Sequence, residues 1–374
     1  MKIYMGVNGI GRGHAIRSFR LAERLSKLGF EVYISSYGDG FSTLKTLNSL
    51  SECCKLIRLE GYTYAWLSKK LDWKRTVLKG ILNSNKLFKH FLNELNNIYV
   101  VDPDIVISDS RISTCLASML LEKRYLLISN QLSVFHTNNI IRYVIRRIFS
   151  YLWGRPENVF VTDLPPPYTI SYVNSASLEN LFHRIEYVGL LLDYKDIKPI
   201  RYDSRDIDVL FIISAPSGDR ELFYLDTLKV ANELGRKGYN VTVIGHGKKF
   251  GNVGSVSIEG WVRNSLNYLS RSKFVVLRGG QTAILESVLH EVPMLVVPAP
   301  NQTEQEGNAV SVSRLGIGSY IPYTLYYKKP EETVKKIKSM FIEIDNYLAN
   351  LSRLREIMIN IKGMDKIIEF IKGM

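Results

Sequence analysis

The sequence predicts an α/β protein built from two doubly wound, Rossmann-like domains that face a central cleft. Three observations support this prediction. Short apolar runs alternate with segments of helical periodicity along the whole chain, a pattern typical of parallel sheets covered by helices. The pattern begins again after a polar stretch that contains Pro199, which indicates a linker. The 374 residues are also too many for one ordinary core.

The N-terminal half contains five predicted strands and two clear helices. The strands are Lys2–Val7, Glu31–Ser35, Ile105–Ser108, Tyr125–Ser129 and Glu186–Leu192. The helices cover His14–Leu28 and a stretch near Thr114–Glu122. We therefore expect a first domain over residues 1–192 and a linker over residues 193–205.

The C-terminal half repeats this arrangement. Its predicted strands are Val209–Ser214, Asn240–Gly245, Phe274–Leu277 and Met294–Pro298. Helices are predicted over Glu221–Leu234, Thr282–Leu289 and Glu356–Met374, and the second domain over residues 206–355. Because ligands of open α/β sheets bind beyond the carboxyl ends of the strands, the site is expected in the strand-to-helix loops.

The composition is that of a globular protein with an excess of positive charge. Hydrophobic residues make up 46% and charged residues 23% of the chain, which argues against wholesale disorder. The net charge of +13 indicates an anionic partner: nucleic acid, phospholipid headgroups or a phosphorylated substrate. The three cysteines provide no metal-ligand spacing or disulfide framework, and no run of about 18 apolar residues occurs. We expect an intracellular protein that does not span a membrane.

A glycine-rich loop follows the first predicted strand. Gly9, Gly11 and Gly13 let the backbone approach a ligand closely, but their spacing is not the dinucleotide fingerprint. His14 begins the following helix, where the positive end of the helix dipole disfavours an imidazolium. A neutral histidine at the tip of such a loop can accept a proton from a substrate. The alternative is that His14 only caps or packs the helix.

The strongest pattern begins at Arg278. A strand ends there in Gly279-Gly280 before a helix, and this makes a phosphate cradle from backbone amides and the helix dipole. About two turns into that helix, a carboxylate at Glu286 can accept both hydroxyl hydrogens of a ribose. After the next strand come side chains that suit sugar hydroxyls, namely Glu304, Gln305 and Asn308. The alternative is a loop glycine pair followed by a solvated helix start.

The segment Gly260–Ala309 resembles the donor half of the MurG-like glycosyltransferases, which form glycosyltransferase family 28 within the UDP-glycosyltransferase superfamily. It is also similar to the dolichol-diphosphate N-acetylglucosamine transferase. The resemblance implies the GT-B fold and a final helix, residues 356–374, that packs back on the N-terminal domain. It also implies a donor site made of Ser214, Ser217, Gly218, Trp261, Val262, Arg278, Gly279, Gly280, Gln281, Thr282, Glu286, Glu304, Gln305 and Asn308.

On the acceptor side, His14 is the predicted catalytic base, and the loop Gly9–His14 resembles the acceptor-side glycine loop of the family. The predicted acceptor-binding residues are Gly11, Gly13, Asp109, Asn130 and Gln131. Asn130 stands where MurG has a glutamate, which removes a competing carboxylate base and favours His14. Asp109 ends its strand and can either orient His14 or form a structural turn. Glu304 departs from the glutamine of MurG, and this leaves the donor sugar open.

The function that the resemblance implies is inverting, metal-independent transfer of N-acetylglucosamine from UDP-GlcNAc to a lipid-diphosphate-linked sugar, which forms a β-linkage. Such a step belongs to lipid-linked oligosaccharide synthesis for N-glycosylation or for cell-envelope glycans. The UDP-sugar is a co-substrate, and neither a cofactor nor a metal is expected. The alternatives are a UDP-glycosyltransferase with a soluble acceptor, a UDP-GlcNAc epimerase on the same fold, and a non-catalytic membrane-recruiting subunit.

Two basic amphipathic segments, residues 66–92 and Ile140–Trp153, account for part of the positive charge. Tryptophan and phenylalanine on one face, with lysine and arginine elsewhere, suit the interface of an anionic membrane. The alternative is a buried apolar face with a solvated basic side. No nucleic-acid recognition motif accompanies the charge. We therefore expect a peripheral protein on the cytoplasmic face of a membrane, without a nucleic-acid partner.

Overall fold

A computed structural model describes residues 1–67, 69–132, 139–172, 182, 184–194, 197–247, 251–262 and 264–374. The chain divides into two compact units. Unit 1 comprises Met1–Ala65, Asp72–Asp193 and Ile361–Met374, and unit 2 comprises Trp66–Leu71 and Tyr194–Asn360. Each unit holds one seven-stranded sheet with its own hydrophobic core. The prediction of two Rossmann-like α/β domains is confirmed.

The N-terminal half forms a parallel sheet. Its strands are β1 (Lys2–Val7), β2 (Glu31–Ser36), β3 (Lys55–Arg58), β4 (Trp66–Leu67), β5 (Lys70–Leu71), β6 (Ile105–Asp109), β7 (Tyr125–Ser129), β8 (Val159–Val161) and β9 (Ile185–Tyr187). The sheet order is β3-β2-β1-β6-β7-β8-β9, and β4 and β5 pair only with each other. Ile3, Met5 and Val7 enter one core, whereas Tyr4 enters a second. Both faces of β1 are therefore covered, as a parallel sheet requires.

The described part of this half also contains helices that alternate with the strands. They are α1 (Gly13–Lys27), α2 (Gly38–Asn48), α3 (Trp73–Leu82), α4 (Ser84–Val101), α5 (Ile112–Leu120) and α6 (Asn139–Trp153). The predicted strand Glu186–Leu192 is wrong in its bounds, because β9 covers only Ile185–Tyr187. In the described structure β9 pairs with β8, which is three residues long, and the hydrogen-bonded pairing therefore covers three residues of β9.

Unit 2 repeats the pattern. Its strands are β10 (Ile207–Ile212), β11 (Val241–Ile244), β12 (Gly251–Val253), β13 (Val256–Gly260), β14 (Ser272–Leu277), β15 (Met294–Val296) and β16 (Gly318–Tyr320). The order is β12-β13-β11-β10-β14-β15-β16, and β12 is antiparallel to its neighbour. The helices are α7 (Ser217–Arg236), α8 (Leu266–Ser270), α9 (Gln281–Leu289), α10 (Thr303–Arg314), α11 (Tyr323–Lys328), α12 (Pro330–Ile342) and α13 (Ile344–Ile361), and the last helix of the chain, α14 (Gly363–Gly373), belongs to unit 1. Helix α7 thus begins at Ser217, earlier than the predicted Glu221.

Two expectations about the domain boundaries are corrected. The predicted helix over residues 356–374 is two helices, because Lys362 adopts a left-handed φ of 51° between α13 and α14. Ile367, Ile368 and Ile371 of α14 enter the core of unit 1, whereas unit 2 extends to Asn360. The predicted first domain also included the β4–β5 hairpin, Trp66–Leu71, which belongs to unit 2.

Candidate active site

The loop after β1 leads into α1 and carries the predicted base. Gly11 has a left-handed φ of 76°, and a side chain placed there would meet nothing within 4 Å. The backbone at Gly11 is therefore open to a ligand. The loop is fixed at its start, because the Asn8 side-chain oxygen accepts hydrogen bonds from the Ile10 amide at 3.0 Å and the Tyr37 hydroxyl at 3.1 Å.

His14 lies in the first turn of α1, and its side chain is 23% exposed. Its Nδ1 atom is 2.8 Å from Oδ1 of Asp109. Asp109 is the last residue of β6, opposite Val7 of β1, so the parallel pairing of the two strands brings the carboxylate to the start of α1. Of the two roles left open for Asp109, the structure supports orientation of His14.

Asp109 is buried and held as a carboxylate. Burial is the largest single influence on the pKa of Asp109 and would raise it, but the charge of Arg17 and the contacts with Arg17 and His14 together outweigh burial and hold this pKa below its usual value. Arg17 Nε donates to Oδ2 at 2.8 Å, and the Ser18 hydroxyl donates to the same oxygen at 2.6 Å. A carboxylate only accepts hydrogen bonds, so the contact with Asp109 favours the Nδ1–H tautomer of His14, which leaves Nε2 to accept a proton. Arg17 Nη2 also lies 2.9 Å from Nδ1, and the same Nη2 donates to Oδ1 of Asp109.

Arg17 is a functional residue that the sequence reasoning missed. Its Nη1 donates to the side-chain oxygen of Asn130 at 3.2 Å and to the Thr162 hydroxyl at 2.8 Å. Its Nη2 donates to the Asp109 carboxylate. The signal was its spacing, because a residue three positions after His14 lies on the same helix face. Asn130, predicted to bind acceptor, is 4% exposed and helps to hold Arg17. Gln131 is half-buried, and its backbone amide donates to the Ser129 hydroxyl at 3.1 Å.

In unit 2, three loops meet at the carboxyl edge of the sheet. They follow β10, β14 and β15, which are neighbours in the sheet, and they lead to α7, α9 and α10. Gly279 has a φ of 90°, and a Cβ there would lie 2.8 Å from Val296 and 3.4 Å from the Gln305 carbonyl oxygen. Only glycine fits this contact between the two loops. The structure therefore brings the predicted diphosphate loop and the predicted sugar loop together.

Two residues predicted to contact the donor sugar instead shape these loops. Asn308 is fully buried, and its side-chain amide donates to the Gly279 carbonyl at 2.9 Å. Gln305 is 5% exposed, and its side-chain oxygen accepts from the Ala299 amide at 2.9 Å. The structure thus shows Asn308 holding the Gly279 loop, and its predicted sugar contact stays a prediction. Glu304 lies half-buried in the first turn of α10.

The start of α9 has the geometry expected for an anion site. Gly280 is the N-cap residue and has no side chain to cap the helix, and the space around its Cα is open. Amides at a helix N-terminus and the helix dipole both favour a negative charge. Gln281 and Thr282 form the first turn, and Glu286 lies farther along, 6% exposed.

Arg278, predicted to contact the donor, is a positioning residue. Its guanidinium is fully buried, with Nε and Nη2 donating to Asp219 at 2.9 and 2.7 Å and Nη1 donating to the Val297 carbonyl at 3.1 Å. The rings of Tyr323 and Phe223 lie at 3.9 and 4.2 Å from the guanidinium carbon. Because the guanidinium is fully buried between these partners, it holds β14, α7 and the Val297 carbonyl together. The sequence analysis also missed Asp219. An acidic residue in the first turn of a helix is a recognisable pattern, and Asp219 has this position in α7.

The remaining predicted donor residues occupy the outer loops of unit 2. Gly218 is exposed at the start of α7, and the side chain of Ser217 lies outside the described part of the structure. The hydroxyl of Ser214 is buried and has no hydrogen-bond partner among the described residues. Trp261 is 40% exposed after β13, its amide donates to the Gly247 carbonyl at 3.1 Å, and Val262 beside it is half-buried.

Comparisons with known proteins agree with this geometry. Residues 215–364 match the glycosyltransferase family 28 C-terminal domain, and residues 1–144 match a model described as glycosyl transferase family 1. An uncharacterized glycosyltransferase of Methanosarcina acetivorans is 26% identical over 97% of this chain and 96% of its own length.

Two further similarities extend these matches. Over 36% of this chain and 39% of the relative, the sequence is 27% identical to the UDP-N-acetylglucosamine–N-acetylmuramyl-(pentapeptide) pyrophosphoryl-undecaprenol N-acetylglucosamine transferase of Thermosipho africanus. The calicheamicin glycosyltransferase CalG4 shares the fold with a TM-score of 0.71 at 13% identity, covering 99% of this chain and 97% of CalG4. The chain is therefore a glycosyltransferase with the GT-B fold whose residues 215–364 form a glycosyltransferase family 28 C-terminal domain.

Proposed function

We propose that the chain transfers N-acetylglucosamine from UDP-GlcNAc to a sugar on a lipid diphosphate, with inversion to a β-linkage and without a metal ion. The observation that carries the proposal is the 2.8 Å contact between His14 and the buried carboxylate of Asp109. The relative in Thermosipho africanus supports the choice of donor and acceptor, since that protein is a UDP-N-acetylglucosamine transferase acting on a pyrophosphoryl-undecaprenol.

The chemical step is a single displacement. His14 Nε2 takes the proton of the acceptor hydroxyl as its oxygen bonds to the anomeric carbon, and the bond from that carbon to the diphosphate oxygen breaks. Asp109 stabilises the imidazolium that forms and holds the ring in its tautomer through Nδ1–H. Because attack occurs opposite the leaving group, an α-linked donor yields a β-linked product. UDP leaves with the charge of the broken bond.

The leaving diphosphate is held by the amides at the start of α9, Gly279–Thr282. These amides are fixed before the reaction by the Asn308 bond to Gly279 and by the packing of Gly279 on Val296. Preorganised amides at a helix N-terminus stabilise developing negative charge without rearrangement. The amides and dipole thus supply the stabilisation that a divalent cation supplies in metal-dependent transferases.

A donor screen against a short lipid-diphosphate N-acetylglucosamine acceptor, with and without EDTA, tests the proposal. We expect transfer from UDP-GlcNAc at the same rate in both conditions and a β-linked product by NMR. Loss of transfer in EDTA that added Mg²⁺ restores would contradict metal independence. Turnover of UDP-GlcNAc without acceptor would instead support the epimerase, and transfer to soluble acceptors alone would support the UDP-glycosyltransferase with a soluble acceptor.

The exposed apolar faces of unit 1 support contact with a membrane. Helix α3 buries none of its residues, and the large hydrophobic side chains more than half exposed on α3 and α4 are Val77, Leu78, Ile81, Leu82, Phe88, Tyr99 and Val100. On α6, the side chains that are also more than half exposed are Ile140, Tyr143, Ile148 and Tyr151. An apolar surface of this kind, interleaved with lysine and arginine, suits an anionic lipid interface. No helix in the described ranges is long and apolar enough to cross a bilayer.

We expect the protein to cosediment with vesicles containing phosphatidylserine, and less so at high salt. Replacing Ile81 and Phe88 together with serine should weaken vesicle binding by at least about tenfold, because each buried apolar side chain contributes about 1.5–3 kcal/mol. The control is Ile342→Ser in unit 2, which removes an isoleucine that is 86% exposed and lies outside the two segments. Equal binding of all three proteins would contradict membrane docking through α3 and α4.

A further inference from the structure

The β4–β5 hairpin, Trp66–Leu71, comes from the N-terminal part of the sequence but packs in unit 2. Its turn is fixed by Lys69, which forms an ion pair with Asp226 of α7. The Lys69 ammonium also lies 4.1 Å from the centre of the Tyr327 ring, and the Tyr323 hydroxyl donates to Asp226 at 2.9 Å. Because Asp226 is buried, its ion pair with Lys69 holds the hairpin against α7 and α11.

The second strand of the hairpin is fixed to a different loop. The Leu71 amide donates to the Pro300 carbonyl at 3.2 Å, and the Asn301 side chain donates to the Leu71 carbonyl at 3.1 Å. The Leu71 side chain is 1% exposed. Pro300 and Asn301 directly precede α10, whose first turn carries Glu304. The hairpin thus holds the loop that leads to the predicted sugar-binding residues.

The first strand of the hairpin lies on the third loop of the donor site. A Cβ built on Gly218 would lie 2.3 Å from Cδ1 of the Trp66 indole, so the indole rests directly on the first turn of α7. This turn follows Ser214, whose buried hydroxyl has no partner in the part of the chain that is described. On the other side, before α10, the side-chain oxygen of Gln302 is also buried and without a partner among those residues. Two unsatisfied polar atoms beside the hairpin indicate a polar ligand there.

We propose that the hairpin is a wall of the donor site and that the Trp66 indole packs against the donor sugar. This inference rests on the proposed function, because it takes the loops after β10, β14 and β15 as the walls of the donor site, with the diphosphate at the loop after β14. An indole offers a flat apolar face, which suits the C–H face of a pyranose, while the loops provide the polar partners for its hydroxyls. Trp66 is then a specificity-determining residue supplied from outside the C-terminal sequence that forms the rest of the site.

Calorimetric titration with UDP-GlcNAc and with UDP separates the sugar contact from nucleotide binding. We expect Trp66→Ala to weaken UDP-GlcNAc about tenfold and to leave UDP binding within about threefold, since only the sugar loses a contact. Trp66→Phe should restore most of the affinity. Lys69→Met should weaken UDP-GlcNAc in the same direction by releasing the turn, whereas the control Lys335→Met, an exposed lysine paired with Glu332, should change neither affinity.

Thermal melting checks that each variant is folded, and Trp66→Leu replaces Trp66→Ala if the alanine variant does not fold. Equal affinity of wild type and folded Trp66 variants for UDP-GlcNAc would overturn the hairpin proposal. An equal loss for UDP and UDP-GlcNAc would overturn the contact with the sugar. Absence of UDP-GlcNAc binding by the wild type would instead count against the proposed function itself, so the two failures are distinguishable.

Discussion

Replacing His14 with alanine is expected to lower kcat by about 10²–10⁴-fold, the usual contribution of a positioned general base. Without the imidazole, the acceptor hydroxyl must lose its proton to water as it attacks. The affinity for the donor should not change, because the predicted donor loops all belong to unit 2 and His14 belongs to unit 1. Steady-state transfer assays and titration with UDP-GlcNAc measure the two quantities separately.

The companion variant is Asp109→Asn. It removes the negative charge that stabilises the imidazolium and leaves the Arg17 guanidinium without its carboxylate partner. We therefore expect kcat to fall with donor affinity again intact. If His14→Ala turned over at the wild-type rate with full donor affinity, the histidine would have no catalytic role.

Replacing Arg278 with methionine is expected to destabilise the protein by about 3–5 kcal/mol, the cost of breaking a buried ion pair from one side. Both partners are fully buried, so Asp219 would keep its desolvation cost without its cation. The loss should also weaken donor binding, because this pair joins β14 to the first turn of α7. Chemical denaturation measures the free energy of unfolding.

The pH dependence of this variant tests the cause. Burial already raises the pKa of Asp219, against the opposing charge of Arg278, and removing the charge raises this pKa further. A carboxyl whose pKa is higher when folded than when unfolded favours folding only while protonated. The destabilisation should therefore grow as pH rises above the ordinary carboxyl pKa of about 4.

The control for Arg278→Met is Arg271→Met, which breaks an ion pair with Asp206 whose side chains are 50% and 58% exposed. This change should cost about 1 kcal/mol or less. Asp219→Leu combined with Arg278→Met should recover much of the stability, because no buried charge is then left unpaired. A single variant as stable as the control would show that the pair has no structural role.

The sequence by itself determined the fold class, the two glycine loops and the positions of His14 and Glu286. The physical reason is that these features are local. The alternation of strands and helices, the glycines where the backbone turns, and the polar residues after each strand follow from the spacing of residues along the chain. Parallel strands then bring their carboxyl ends to one edge, which places Asp109 beside His14.

Only the tertiary structure decided which polar side chains face a ligand and which hold the loops. Arg278 and Asn308 lie in the expected motif, yet their partners, Asp219 and Gly279, are far from them in sequence and bury both side chains. The hairpin at Trp66–Leu71 crosses from one half of the sequence into unit 2 through contacts with Asp226 and Pro300. Residue spacing carries no information about such long-range pairs, because burial and charge pairing select them only once the cores have formed.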